Sequence, residues 1–367
     1  MPSDHLKPLT SIRFFAALWV VLYSYVKELN VPINVGLAEH GYLGVDLFFI
    51  LSGFILSYVY LEAFGAGRFN YLSFVNLRLA RIYPLHIATL LFTLALIAVA
   101  AIKGVPLDAN AGNWASLPAH LTLTQAWGLA PSASFNHASW SISAEWFAYL
   151  TFPVAAVMAW RLRNRPVLAV GLAAALVVAL NLAFAALAGF SLTHATFQWG
   201  ALRIVPSFLL GCALFLAWRS GAVSNPRLAL AGAAISSLAV IIAASFSGSD
   251  IVIVLALGLL VLSVSGLGRD GTGILSSRVF VYLGEISFAT YMIYVPWKWV
   301  FLKGVNALLG AGHTGLPFFW WLAGLLALVP LSMAAHQLIE RPFRSILRNF
   351  GEKLRLRLSP ATLSIGE

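Results

Sequence analysis

Charge is what this chain has least of: Asp, Glu, Lys and Arg make up 10% of its 367 residues, and only 13 are acidic. With 60% hydrophobic residues and a mean hydropathy of +0.87, a water-soluble globule is excluded. The single cysteine, Cys212, excludes an internal disulfide and, lying in an apolar run, reads as core packing. No His, Cys and carboxylate spacing of the metal-site kind occurs, so no metal is expected. Heptad arrays, short-period repeats and a separate soluble domain are missing as well. The apolar runs lack barrel-type alternation. Backbone groups in lipid must bond internally, so the spanning elements are helices.

What is present is a series of apolar runs, each long enough to cross about 30 Å of hydrocarbon at 1.5 Å per residue. They lie near 11–27, 41–63, 82–102, 141–160, 166–189, 200–218, 228–246, 250–267, 284–302 and 318–340. The expectation is an all-α, polytopic bundle of about ten transmembrane helices. Of the 23 Lys and Arg residues, 18 fall on one side of this arrangement, so the positive-inside rule puts both termini in the cytoplasm. The net charge of +10 is thereby assigned to topogenic loops and not to nucleic-acid binding. The first run has no small-residue cleavage site and reads as a retained anchor. Residues 1–345 form the expected membrane domain. A basic cytoplasmic tail, 346–367, belongs to the Arg-rich amphipathic stretch after Pro342, suited to anionic headgroups. The long connection 103–140 is expected to fold into short helices over the outer mouth.

Ionisable residues inside apolar spans mark working sites: here Arg13, Asp46, Glu145, Arg203 and Glu285. Arg13 and Ser24 are eleven residues apart, about 1100° of rotation, so they share a helix face some 16 Å apart along the axis. Either alone also fits a plain role, Arg13 as an anchor and Ser24 in helix packing. Arg78 and Arg81 share a face at i and i+3, entering the third span just before Tyr83 and Pro84. Guanidinium forks there suit the phosphates of a nucleotide-like donor, and equally suit topology. Glu145, in Trp140-Ser141-Ile142-Ser143-Ala144-Glu145, needs a partner or a proton-handling task. Arg203 is its natural partner, with Asp46 competing for the same guanidinium. His86 is a candidate for the same cavity. His40 and His137 read as solvated, and His336 as a charge partner at a helix end.

Taken together, the segments from Gly44 to Phe54 (which includes Ser52), Arg78 to Pro84, Trp140 to Glu145, Arg203 to Gly211, Leu283 to Phe288 and Glu340 to Phe343, with the Arg13 helix before them, resemble the membrane-bound acyltransferase-3 family, in family order. The resemblance implies a ten-helix O-acyltransferase of the bacterial inner membrane. It implies a cytoplasmic acyl-CoA donor, acetyl-CoA first among the short ones, and a carbohydrate or glycolipid acceptor. Arg13, Glu145 and the residue at position 24 become the implied catalytic set, and Arg78, Arg81 and Tyr83 the donor site. Asp46, Ser52, His86, Trp140, Arg203 and Tyr294 become the substrate cavity. The family carries a catalytic histidine separated from its arginine by ten intervening residues, whereas this chain has Ser24 there, a far weaker base. Three readings of Ser24 stay open: a substitution that traps the enzyme, a natural variant using another base, or a binding-only member. A glycolipid transporter or flippase, whose buried charges form a path, and a non-catalytic acyl-CoA sensor are the rival functions. Oligomeric state is not legible.

Overall fold

Hydrocarbon solvates no backbone polar group, and the apolar runs accordingly fold as helices. The computed structural model describes residues 7–30, 36–105, 111–246, 248–268, 273–310 and 315–358, with side chains as far as 349. Its α-helices are α1 (Lys7–Val26), α2 (Gly36–Glu39), α3 (Gly44–Gly65), α4 (Tyr71–Ile102), α5 (Leu117–Leu121), α6 (Trp140–Leu150), α7 (Phe152–Arg161), α8 (Pro166–Ala188), α9 (Gly200–Arg219), α10 (Pro226–Ser245), α11 (Asp250–Leu267), α12 (Arg278–Leu309), α13 (Phe318–Ala335) and α14 (Arg341–Leu358). Among the described residues, nine helical segments are long and apolar enough to cross a bilayer, or ten if α6 and α7 make one bent span.

That bent pair is the expected fourth span, and it is broken: the two halves meet at 56°. Thr151 ends α6, and Pro153 stands in the first turn of α7, where a missing N–H is tolerated but a continuing helix is not. The third span differs at its start. Asn70 accepts a hydrogen bond from the Ser73 amide (2.8 Å) and caps α4 eleven residues before the expected boundary. Arg78 and Arg81 therefore lie two turns inside the helix and not at its entrance. The last span leaves α13 through one turn of π-helix, His336–Glu340, before α14 begins. The expected tail from 346 starts within α14, and residues 359–367 lie outside the described residues.

α3 and α9 form the centre. Gly53 and Gly211 face each other's backbones there, where an added Cβ would strike the carbonyls of Phe208 and Ile50. Small residues allow this approach, and helix pairs in lipid gain packing and not water release from it. α1 packs against α12 and α3, α6 against α9, and α14 along α4. α8 and α10 are peripheral and turn large apolar side chains such as Leu187, Ile235 and Leu238 outward. The 103–140 connection holds α5 and single 3₁₀ turns at Trp114–Ser116 and His137–Ser139. It is pinned to the bundle: Asn136 donates to the Met292 carbonyl on α12 (2.8 Å) and Trp127 to the Ser143 carbonyl on α6 (3.0 Å).

Candidate active site

α1, α3, α4, α6 and α12 enclose a cavity of about 200 Å³. Its wall on α3 runs from Val45 to Leu56, about 16 Å along the axis. Leu9, Ile55, Leu56 and Phe288 are part of its apolar wall, and its polar lining includes Arg13, Ser52, Arg78, Arg81, Glu145 and Tyr149.

Spacing along single helices explains the grouping. Glu145 and Tyr149 are i and i+4 on α6, and Arg78 and Arg81 are i and i+3 on α4, so each pair shares a face. Ser52 on α3 donates to Glu145 Oε1 at 2.5 Å, and Tyr149 donates to the same oxygen at 2.6 Å. Arg78 donates to the Tyr60 hydroxyl at 3.1 Å and lies over the rings of Tyr60 and Tyr149, at 5.5 and 6.0 Å. Its Nε is buried without a hydrogen bond among the described residues. Arg13 lies over Phe48 at 6.0 Å and feels the charges of Arg81, Glu145 and Glu340. From α14, Arg344 is within electrostatic reach of Arg78 and Arg81. The end of the cavity near Arg78 and Arg81 is thus strongly positive, an arrangement that attracts anions. Deeper in, a carboxylate polarises a hydroxyl.

Other residues named from sequence lie outside this lining. Arg203 pairs with Asp46, not Glu145: Nη2 donates to Asp46 Oδ2 at 2.7 Å, with both side chains 2% exposed. Ser207 donates to Asp46 Oδ1 (3.2 Å), and Arg203 also donates to the carbonyls of Tyr42 (3.0 Å) and Ala195 (3.1 Å) and lies 4.9 Å from the Trp140 ring centre. A buried ion pair needs such extra partners to offset its desolvation. Here the result is a sealed rivet between α3 and α9. Tyr83 donates to the Leu121 carbonyl at 3.1 Å, and His86 Nε2 is bonded to the His120 carbonyl at 2.8 Å, which places both against the 103–140 connection.

Ser24 lies near the end of α1 opposite Lys7, where its carbonyl accepts from Lys298 Nζ (3.3 Å), which also pairs with Glu28 (2.9 Å). Ser24 is not part of the cavity lining, and its chain neighbour Tyr25 connects to the cavity wall through two further tyrosines. Tyr291 is on the cavity wall, Tyr294 lies 5.8 Å from it ring to ring, and Tyr25 donates to the Tyr294 carbonyl at 3.4 Å. His336, read as a helix-end charge partner, pairs with Glu340 at 2.8 Å. Tyr149 was missed from sequence, although its i+4 spacing from Glu145 carried the signal. Tyr291 and Arg344 carried no comparable local one, because tertiary packing brings them in. Among the described residues, no three His, Cys, Asp or Glu side chains group as metal ligands.

Comparison with known proteins adds the chemistry class. The sequence model of the acyltransferase-3 family, described as an acyltransferase domain, matches residues 9–337. The acyltransferase MdmB of Streptomyces mycarofaciens is 31% identical over 93% of this chain and 92% of its own length. Protein 2 of the picA locus of Rhizobium radiobacter is 32% identical over 32% of this chain and 64% of its own length. No solved structure matches.

Proposed function

We propose, proceeding from the fact that the chain belongs to the acyltransferase-3 family, that this membrane acyltransferase moves a short acyl group, acetyl first, from acyl-CoA to a hydroxyl of an envelope carbohydrate or glycolipid. One observation carries the reading. A single cavity joins a cluster of guanidinium groups at one end to a hydroxyl–carboxylate pair in its middle. Arg78 and Arg81, with Arg344 beside them, suit the phosphates of CoA, and the apolar wall suits its pantetheine arm. In this reading the arginine end is cytoplasmic, the bilayer is a bacterial inner membrane, and both termini share the cytoplasmic side.

Position 24 lies outside the cavity lining, towards the end of α1 opposite Lys7, the side from which an outer acceptor arrives in this reading. A serine hydroxyl there cannot take a proton from a sugar alcohol at neutral pH, so transfer is slow in this chain while donor binding is retained. The test uses the purified protein in nanodiscs. Acetyl-CoA in large excess raises the unfolding temperature, as for any ligand that binds the folded state alone, and about 2.7 kcal/mol is gained at a hundredfold excess over Kd. Ser24→His increases acetyl transfer to membrane glycans over the chain as given. Absence of stabilisation, with sugar-lipid movement that ignores CoA, overturns the reading in favour of a flippase. Stabilisation with no transfer from either variant identifies a sensor.

A further inference from the structure

Holding a thioester needs apolar walls and phosphate partners; it does not need a serine whose proton points at a carboxylate. Ser52 has that geometry. It lines the cavity eight residues into α3, about 12 Å along the axis from Gly44 and 20 Å from Gly65, well inside the helix. Its Oγ donates to Glu145 Oε1 at 2.5 Å, and Tyr149, at 2.6 Å from the same oxygen, keeps that carboxylate from swinging away. Arg13 opens into the same cavity. A nucleophile, a base fixed by a third group and a cation that can receive an oxyanion are thus assembled on three helices. Depth adds to the argument. A donor admitted at the Arg78–Arg81 end and an acceptor admitted beyond Tyr294 need not meet if a hydroxyl between them carries the acyl group.

We propose that Ser52 is the nucleophile of a two-step transfer and is acylated on Oγ before the acceptor arrives. The proposal rests on the acyl-CoA reading above. Ser52 Oγ attacks the thioester carbonyl carbon while its proton passes to Glu145. The new C–O bond pushes the carbonyl π electrons onto oxygen, beside the Arg13 guanidinium. Collapse of that tetrahedral species breaks the C–S bond, and the departing thiolate takes the proton from Glu145, leaving as CoA thiol. The acceptor hydroxyl then attacks the Ser52 ester, forming the product ester, and its proton returns to Ser52 Oγ. Atoms and charge balance without any oxidant or reductant.

The experiment incubates the full-length protein in nanodiscs with acetyl-CoA and no acceptor, quenches in acid over a time series, and maps the protein by mass spectrometry. One acetyl group is expected on the peptide containing Ser52. Ser52→Ala loses the adduct and the transfer, yet is stabilised by acetyl-CoA as strongly as the unmodified chain. Ser52→Cys carries the group as a thioester, and Glu145→Gln forms the adduct at least a hundredfold more slowly. An alanine variant that transfers at the unmodified rate overturns the proposal, as does an unmodified chain stabilised by acetyl-CoA that yields no adduct at any time. Lack of stabilisation by both acetyl-CoA and propionyl-CoA overturns the donor reading, and this proposal with it.

Discussion

Placing Asp46 and Arg203 side by side removes two full charges from water, and the cost is offset by the ion pair itself, by Ser207 and by two backbone carbonyls, while Arg203 Nε keeps no hydrogen bond among the described residues. Arg203→Met leaves the Asp46 carboxylate buried without its counter-charge, with Ser207 still donating to it. A loss of about 3–5 kcal/mol is expected, read as a lower unfolding midpoint, whereas the double variant with Asp46→Asn loses less than the two single effects combined. Arg81 faces the cavity and not a carboxylate rivet, so its replacement has a different signature. Arg81→Gln removes a charge-assisted contact of about 1.5–3 kcal/mol, which raises KM for acetyl-CoA roughly tenfold or more, with a smaller change in kcat. Steady-state kinetics on a variant that unfolds at the unmodified temperature separates the two behaviours.

Among the helices, the α3–α9 crossing is the least forgiving. Gly53→Ala drives a methyl group against the Phe208 carbonyl, backbone that no rotamer change can move aside. Overpacking of this kind costs about 1–3 kcal/mol or more, and size-exclusion chromatography with a thermal ramp registers it as aggregation at lower temperature. The short α5 behaves differently because it carries a titratable group. Burial, with His86 beside it, holds the His120 imidazole down at about 3. The unfolded chain takes up that proton near the ordinary value of about 6.5, while the folded one stays neutral. Stability is therefore undiminished above about pH 6.5 and falls as pH drops from there towards 3. In a series of unfolding temperatures between pH 7.5 and 5, His120→Gln flattens that decline.

For the whole molecule, the bend between α6 and α7 decides the topology. Among the described residues, crossing of the bilayer by the bent pair makes ten spans, an even number that leaves the first and last helices' outer ends on one face, whereas a re-entrant pair makes nine and separates them. The first outcome is expected. Because Cys212 is buried and unreactive, it provides a silent background for single cysteines introduced near each terminus. Membrane-impermeant maleimide applied to right-side-out and inverted vesicles labels both termini in the same preparation under this expectation. Labelling in opposite preparations identifies the re-entrant arrangement.

Hydropathy by itself determined the helical class, the near-count of spans and their order, because each run must satisfy its own backbone wherever its neighbours lie. It also exposed Arg13 and Glu145, since charge inside an apolar run is visible one residue at a time, while Arg78 and Arg81 stood out as a same-face pair at the entrance to the third run. Their partners were not visible. The sequence pointed to Arg203 as the partner of Glu145, with Asp46 as its competitor, and only the α3–α9 crossing at Gly53 and Gly211 set it against Asp46 and left Glu145 to Ser52 and Tyr149. The same holds for Ser24, whose helix face was legible but whose exclusion from the cavity lining was not. Periodicity reports which way a side chain points along its own helix. What it points at is fixed by packing between helices distant in the chain, and that contact information is carried by no local pattern.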